Sequence, residues 1–247
     1  MKKNSSKNAI IYRMVMEKHI CPYGIKAKAL LERKGFKVED NWLTTREQTD
    51  AFKKEHSVET TPQVFIDGKR IGGYDALREH FGYHVMKKGE TTYKPVIALF
   101  GVAFLISLAM TWAISGTLLE PAVIGRFIAV AMCLLGMLKL QDVESFSTMF
   151  LNYDLLARKE VRYAYFYPFA ETFAGVLMLA GALTWLSAPL ALFIGTVGAV
   201  SVFKAVYVDN RELKCACVGG ASNVPLGFIS LTENLMMIAM AVYMLAM

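Results

Sequence analysis

Cysteine is scarce in this chain, with four among 247 residues, at positions 21, 133, 215 and 217. A cleaved export signal is not expected either. The start Met1-Lys2-Lys3 is basic, but the apolar stretch from Ala9 to Val15 is short, is broken by Arg13 and leads to no small-residue cleavage site. The N-terminal part is therefore expected to stay in the cytosol. Thiols are kept reduced there, and cysteines signify catalysis, redox exchange or metal binding rather than structural staples. Internal repeats and low-complexity segments are missing, which excludes a solenoid or a biased disordered array. Blocks of like charge are missing as well. The basic residues stand singly among acids, as on a solvated face, so no nucleic-acid partner is expected.

What is present is unevenly spread. The chain is 55% hydrophobic with formal charge +6, and its mean hydropathy is +0.37. Residues 1–94 hold 19 Lys/Arg against 12 Asp/Glu, and the remainder holds 8 against 9. A basic part of ordinary polarity is thus followed by a nearly neutral, apolar one, which argues for two domains.

In the first part, residues 9–16 read as a buried strand. A helix runs from Pro22 to about Lys34, with proline at its first position and Gly35 at its stop. Phe36–Leu43 reads as a second strand, and Thr44/Thr45 cap a polar helix to about His56. Gln63–Ile66 and Arg70–Ile71 flank Asp67-Gly68 as a hairpin, and Tyr74–Phe81 closes the unit as a helix. The order βαβαββα is that of an α/β thioredoxin-like domain, placed at 1–83, with a polar linker at 84–94.

The second part, 95–247, reads as an all-α membrane bundle. Five stretches approach the ~20 residues a crossing needs: 95–118, 122–140, 163–184, 188–207 and 226–246. Positive charge sets the orientation. Lys139, Arg158, Lys159, Arg162, Lys204, Arg211 and Lys214 lie in or beside loops 141–162 and 208–225, whereas the turns at 119–121 and 185–187 carry none. The expectation is a multi-pass protein of a bacterial-type inner membrane, with the first domain and both loops cytosolic and Met247 outside. Tyr163, Tyr165, Phe166 and Tyr167 suit an interfacial aromatic belt.

Cys21-Pro22-Tyr23-Gly24 stands where a strand gives way to a helix. A thiol there meets the positive end of the helix dipole and unpaired N–H groups, and Lys18 adds a cation. The segment Lys18 to Gly24 resembles the glutaredoxin active site. Thr61-Pro62-Gln63-Val64-Phe65-Ile66 resembles that family's TVPxVFI strand, and Gly72-Gly73-Tyr74-Asp75-Ala76-Leu77 its GGxxDL segment. The resemblance implies that Cys21 attacks glutathione mixed disulfides and that Lys18 pairs with a glutathione carboxylate. It also implies that Pro22 and Tyr23 border the tripeptide, that Thr61 before a cis Pro62 offers it backbone hydrogen bonds, and that Gly73, Tyr74 and Asp75 hold its γ-glutamyl end. Dithiol members carry a second cysteine where this chain has Gly24. Cys21 therefore lacks a local resolving thiol, and a Gly24→Cys change is expected to add dithiol-type reduction.

Cys215-Ala216-Cys217-Val218-Gly219-Gly220 lies in the loop before the last span. A pair two residues apart can close a small strained disulfide, and exposed strained disulfides are labile. It is also a soft-metal donor pair for Cu, Hg or Zn, so both readings stand. Gly136-Met137-Leu138-Lys139-Leu140, Tyr167-Pro168 with Glu171 and Gly175, and the CxC before the final helix resemble the methylamine-utilisation MauE family and its DoxX relatives. That resemblance implies thiol redox or maturation chemistry, and the span at 95–118 looks like an addition to it. Arg126, Lys139, Glu171 and Glu233 fall within or at the ends of spans, where charges are costly and usually paired. They are expected to serve as proton relay or ion pair, although Lys139 can also snorkel to the interface. Cys133, alone mid-span, is expected to be inert.

Together these features describe a membrane-tethered, glutathione-dependent thiol–disulfide oxidoreductase in which Cys21 exchanges with glutathione and with Cys215/Cys217. Its expected partners are glutathione, membrane lipid and a thiol or disulfide substrate. The alternative is a transporter or soft-metal handling protein with an accessory thiol domain.

Overall fold

The structure is a computed structural model and describes residues 7–17, 19–87, 90–118, 120–216 and 224–246. The chain divides into two compact units, Met1–Lys88 and Gly89–Met247.

The first unit is a sheet with helices. Strand β1 (Lys7–Met16) alternates buried and part-exposed positions, so Ala9 and Ile11 point into the core and Ile10 and Tyr12 do not. It pairs in parallel with β3 (Phe36–Leu43) from Lys7↔Phe36 to Met14↔Leu43. On its other side it runs antiparallel to β4 (Gln63–Ile66), which in turn pairs antiparallel with β5 (Lys69–Gly72). Asp67 and Gly68 both have positive φ at this two-residue turn, as a tight hairpin requires. The short β2 (His19–Ile20) folds back on the end of β1, with Val15↔Ile20 and Met16↔His19 in register. Helix α1 (Pro22–Arg33) buries Ala27, Leu30 and Leu31 against the sheet, and α3 (Tyr74–His80) buries Leu77 in the same core. Helix α2 (Arg46–Glu55) starts at Thr45, whose hydroxyl accepts from Gln48 N, and seats Phe52 against Tyr12.

The second unit is helical. It comprises α4 (Lys94–Ser115), α5 (Ala122–Leu140), the short α6 (Val143–Phe150), α7 (Val161–Ala180), α8 (Thr184–Phe203) and α9 (Phe228–Ala246). A π-helical turn, Lys204–Val208, extends α8. Among the described residues four helices are long and apolar enough to cross a membrane: α4, α5, α8 with its π turn, and α9. Helix α7 has 20 residues but carries Arg162, three tyrosines and Glu171, which lower its hydropathy.

Close helix approach rests on small residues. A Cβ at Gly136 of α5 would collide with Thr172 of α7, and one at Gly175 would lie 3.0 Å from Cys133 Sγ and Met132 Cβ. Between α8 and α9, a Cβ at Gly195 would meet Asn234 O at 3.1 Å, and one at Gly198 would run into the Asn234 side chain.

Two sequence expectations are corrected. The break between the third and fourth apolar stretches falls at 181–183, where Gly181 and Leu183 are left-handed, rather than at 185–187, which lie inside α8. The segment 143–150, read as loop, is helical because Asp142 caps it through Ser145 N and Phe146 and Phe150 face the core.

Candidate functional site

In the first unit the geometry converges on Cys21. The β1–β2 pairing returns the chain so that Cys21 N donates to Met14 O at 3.1 Å. Cys21 then sits at the N-cap of α1 in an extended conformation, with Pro22 filling the first helical position. Its carbonyl accepts from Gly24 N and Ile25 N at 3.1 and 3.2 Å. The residue is a free cysteine and only 4% exposed. Its Sγ lies 3.9 Å from the carbonyl of Thr61, which precedes a cis Pro62. A Cβ on Gly73, the N-cap of α3, would sit 3.5 Å from Pro62 O. The Tyr74 ring lies 6.3 Å from that of the exposed Tyr23. The starts of α1 and α3 and the 61–62 turn thus meet around one thiol. Asp75 is exposed in the first turn of α3. Lys18 lies outside the described residues.

Sequence reasoning missed the other side of this thiol. Arg13 of β1 lies behind it, with Nε and Nη2 donating to Asp40 Oδ1 and Oδ2 at 2.7 and 2.8 Å. Lys28 Nζ of α1 donates to the same Oδ2 at 2.9 Å, and Trp42 covers the guanidinium at 5.8 Å. Burial alone would push the Asp40 carboxyl up. The hydrogen bonds from Arg13 and Lys28 outweigh it and hold the carboxyl well below the usual range. Arg13 is held protonated chiefly by its hydrogen bonds to Asp40.

This cation occupies the space beside Gly24. A Cβ there would stand 2.7 Å from Arg13 Cβ and 2.9 Å from its Cδ. The expected gain of dithiol-type reduction from Gly24→Cys therefore has to overcome that contact. The available signal was the arginine interrupting an otherwise apolar strand.

In the second unit three of the four predicted membrane charges meet. Lys139 Nζ of α5 donates to Glu171 Oε2 of α7 at 2.5 Å and to Glu233 Oε1 of α9 at 3.0 Å. The three side chains are 3%, 0% and 7% exposed. The snorkelling role for Lys139 is thereby replaced by a buried triad, with the ammonium also 5.3 Å from the Tyr167 ring. Arg126 is separate and donates to Thr111 Oγ1 at 2.7 Å, with Glu120 Oε2 3.5 Å away.

Cys215 is disulfide-bonded, buried at 1% exposure, and its Sγ is 2.9 Å from Ser230 Oγ of α9. The expectation of an exposed loop sulfur is corrected here. Antiparallel pairing of Lys214 with Pro225, with Cys215 N donating to Val224 O, draws the sulfur down onto the bundle. Cys217 lies outside the described residues. Cys133 is a free, half-buried thiol. Among the described residues no three His, Cys, Asp or Glu side chains converge as a metal site.

The two units have separate relatives. The glutaredoxin family matches residues 11–71, and the family described as methylamine utilisation protein MauE matches residues 119–247. Glutaredoxin 1 of Rickettsia prowazekii is 40% identical over 80 residues, 31% of this chain and 80% of that protein. Glutaredoxin 3 of Escherichia coli is 37% identical over 68 residues, 26% of this chain and 77% of that protein. Hybrid peroxiredoxin hyPrx5 of Haemophilus influenzae is 41% identical over 61 residues, a quarter of each chain.

A thioredoxin-like unit with a free N-cap thiol and a helical unit with apolar spans define a multi-pass membrane protein carrying a thiol-oxidoreductase domain. The chain belongs to the glutaredoxin family through its first unit and to the MauE family through its second.

Proposed function

We propose that this protein is a membrane-tethered, glutathione-dependent thiol–disulfide oxidoreductase in which Cys21 exchanges with glutathione and with a Cys215–Cys217 pair. One observation carries the reading: a single chain holds a free thiol at the N-cap of a glutaredoxin unit and an oxidised cysteine in its membrane unit. Among the described residues Cys21 and Cys133 are free, and Cys217 stands two residues from the oxidised cysteine in the sequence.

Cys21 acts as nucleophile. It attacks the cysteine-side sulfur or the glutathione sulfur of a mixed disulfide, forms a new S–S bond and expels the other thiolate. Lys18, the backbone at Thr61–Pro62, Pro22 with Tyr23, and Gly73–Asp75 would bind the tripeptide. Gly24 offers no second thiol, so the Cys21–glutathione adduct is resolved by another glutathione or by the membrane pair.

In this reading α7 is a fifth span, supported by its length and its packing between α5 and α8. The glutaredoxin unit and the Cys215 loop then share the cytosolic face of an inner membrane, with the C-terminus outside, as Lys204, Arg211 and Lys214 favour.

The full-length protein is expected to reduce a glutathionylated peptide with glutathione as reductant. Cys21→Ser should lower that rate by more than about 10³-fold, the scale of losing a nucleophile, with unchanged thermal unfolding. Full activity in Cys21→Ser removes the reading.

A further inference from the structure

Lys139 and Glu233 of the Lys139–Glu171–Glu233 triad border the same small cavity as Cys215. It measures about 20 Å³, also touches Ser230 and Asn234, and matches the volume of a single water. Its walls offer that water donors and acceptors. Ser230 Oγ stands 2.9 Å from Cys215 Sγ, Lys139 holds Glu233, and Asn234 presents a buried Oδ1 that has no hydrogen-bond partner among the described residues. Glu171 Oε1 is likewise buried and without a hydrogen-bond partner among the described residues. One ammonium between two carboxylates carries a net charge of −1 when all are ionised, which costs several kcal/mol at a buried site. A proton shared within the triad cancels that charge.

We propose that the triad is the proton store for the membrane disulfide, delivering to Cys215 through one water in this cavity and the Ser230 hydroxyl. The proposal rests on the reading of that disulfide as redox-active, and it assigns Cys215 as the leaving sulfur. Packed against Ser230 at 1% exposure, Cys215 offers no path for an incoming thiolate. The attacking thiolate, from Cys21 or glutathione, therefore bonds to the sulfur joined to Cys215. The S–S bond breaks, and Cys215 Sγ leaves with the electron pair. A thiolate there is poorly solvated. Ser230 donates its proton to Sγ and is reprotonated by the water, which draws one from the triad, leaving Cys215 as a neutral thiol. In the reverse step the triad takes the proton back and Cys215 becomes the attacking thiolate.

Other titratable groups face the triad. They are Tyr153 from the connection after α6, Tyr163 and Tyr167 of α7, and Cys133 of α5. Of these only Tyr153 and Tyr167 line the cavity, together with the triad's Lys139 and Glu233. Ser230 is accordingly the group that hands the proton to Cys215 Sγ, and Glu233 acts through it.

The test uses full-length protein in lipid nanodiscs. Dithiothreitol serves as reductant, and the rate of Cys215 reduction is read by alkylation and mass shift from pH 6 to 9, corrected for the thiolate fraction of the reagent. Wild type should show a nearly flat corrected rate. Glu233→Gln, which keeps the shape but stores no proton, and Ser230→Ala, which breaks the path, should each fall by about tenfold towards pH 9 and approach wild type near pH 6. Variants that follow the wild-type profile, or lose rate equally at every pH, overturn the proton store. A wild-type disulfide that dithiothreitol never reduces overturns the redox reading itself.

Discussion

At the scale of single residues, the contact between Gly24 and Arg13 decides how the first unit can use its thiol. The arginine cannot withdraw freely, because Asp40 grips it through two hydrogen bonds and Lys28 completes the cluster. Gly24→Cys alone is expected to lower stability by about 1–3 kcal/mol, as overpacking a filled site does, and to add little dithiol reduction. Combining it with Arg13→Gly and Asp40→Asn removes the clash without leaving a lone buried carboxylate, and should yield reduction of a protein disulfide. Thermal unfolding and a turbidity assay of disulfide reduction check the two parts. Equal stability of Gly24→Cys and wild type would show that the arginine is not fixed. The nucleophile was legible in the sequence because its environment is local: a strand end, a proline and a helix start. The cluster behind it was not, since Arg13 and Asp40 lie 27 residues apart and meet only through the parallel pairing of β1 with β3. Lys139 shows the same limit, with partners 32 and 94 residues away.

Among the elements, apolar length and turn chemistry placed most helices and strands, while their ends followed backbone details. Helix α7 stops at Gly181 and α8 starts after a left-handed Leu183, a conformation that leucine rarely adopts and that composition does not announce. Strand β2 escaped notice because two residues carry no periodicity. Helix pairing depended on glycines whose neighbours the sequence does not name. Gly198→Ala should push a methyl group into Asn234 and cost about 1–3 kcal/mol. An accompanying Asn234→Ala should recover much of that by vacating the space. Thermal unfolding in detergent reads both. A Gly198→Ala protein as stable as wild type would mean that α8 and α9 can part without penalty.

For the molecule as a whole, the proposed relay depends on both thiol sites facing one compartment. Tethering then raises their mutual concentration to roughly millimolar. With a protease site in the segment 84–94, mild oxidation followed by cleavage should leave the fragments joined on a non-reducing gel. They should separate in Cys21→Ser and in the double Cys215→Ser/Cys217→Ser variant. In intact cells an impermeant thiol reagent should spare the pair even after reduction. Labelling from outside would place the two sites on opposite faces and end the direct relay. Helix α4 bears on the same question through simple parity. It precedes residue 119, where the MauE match begins, and packs chiefly against α5. Whatever is joined ahead of a bundle emerges on the side set by whether the count of crossings is odd or even. One extra helix at the margin inverts that side without altering the bundle behind it. On this view α4 works as an adapter, whose presence decides to which compartment an appended domain is delivered.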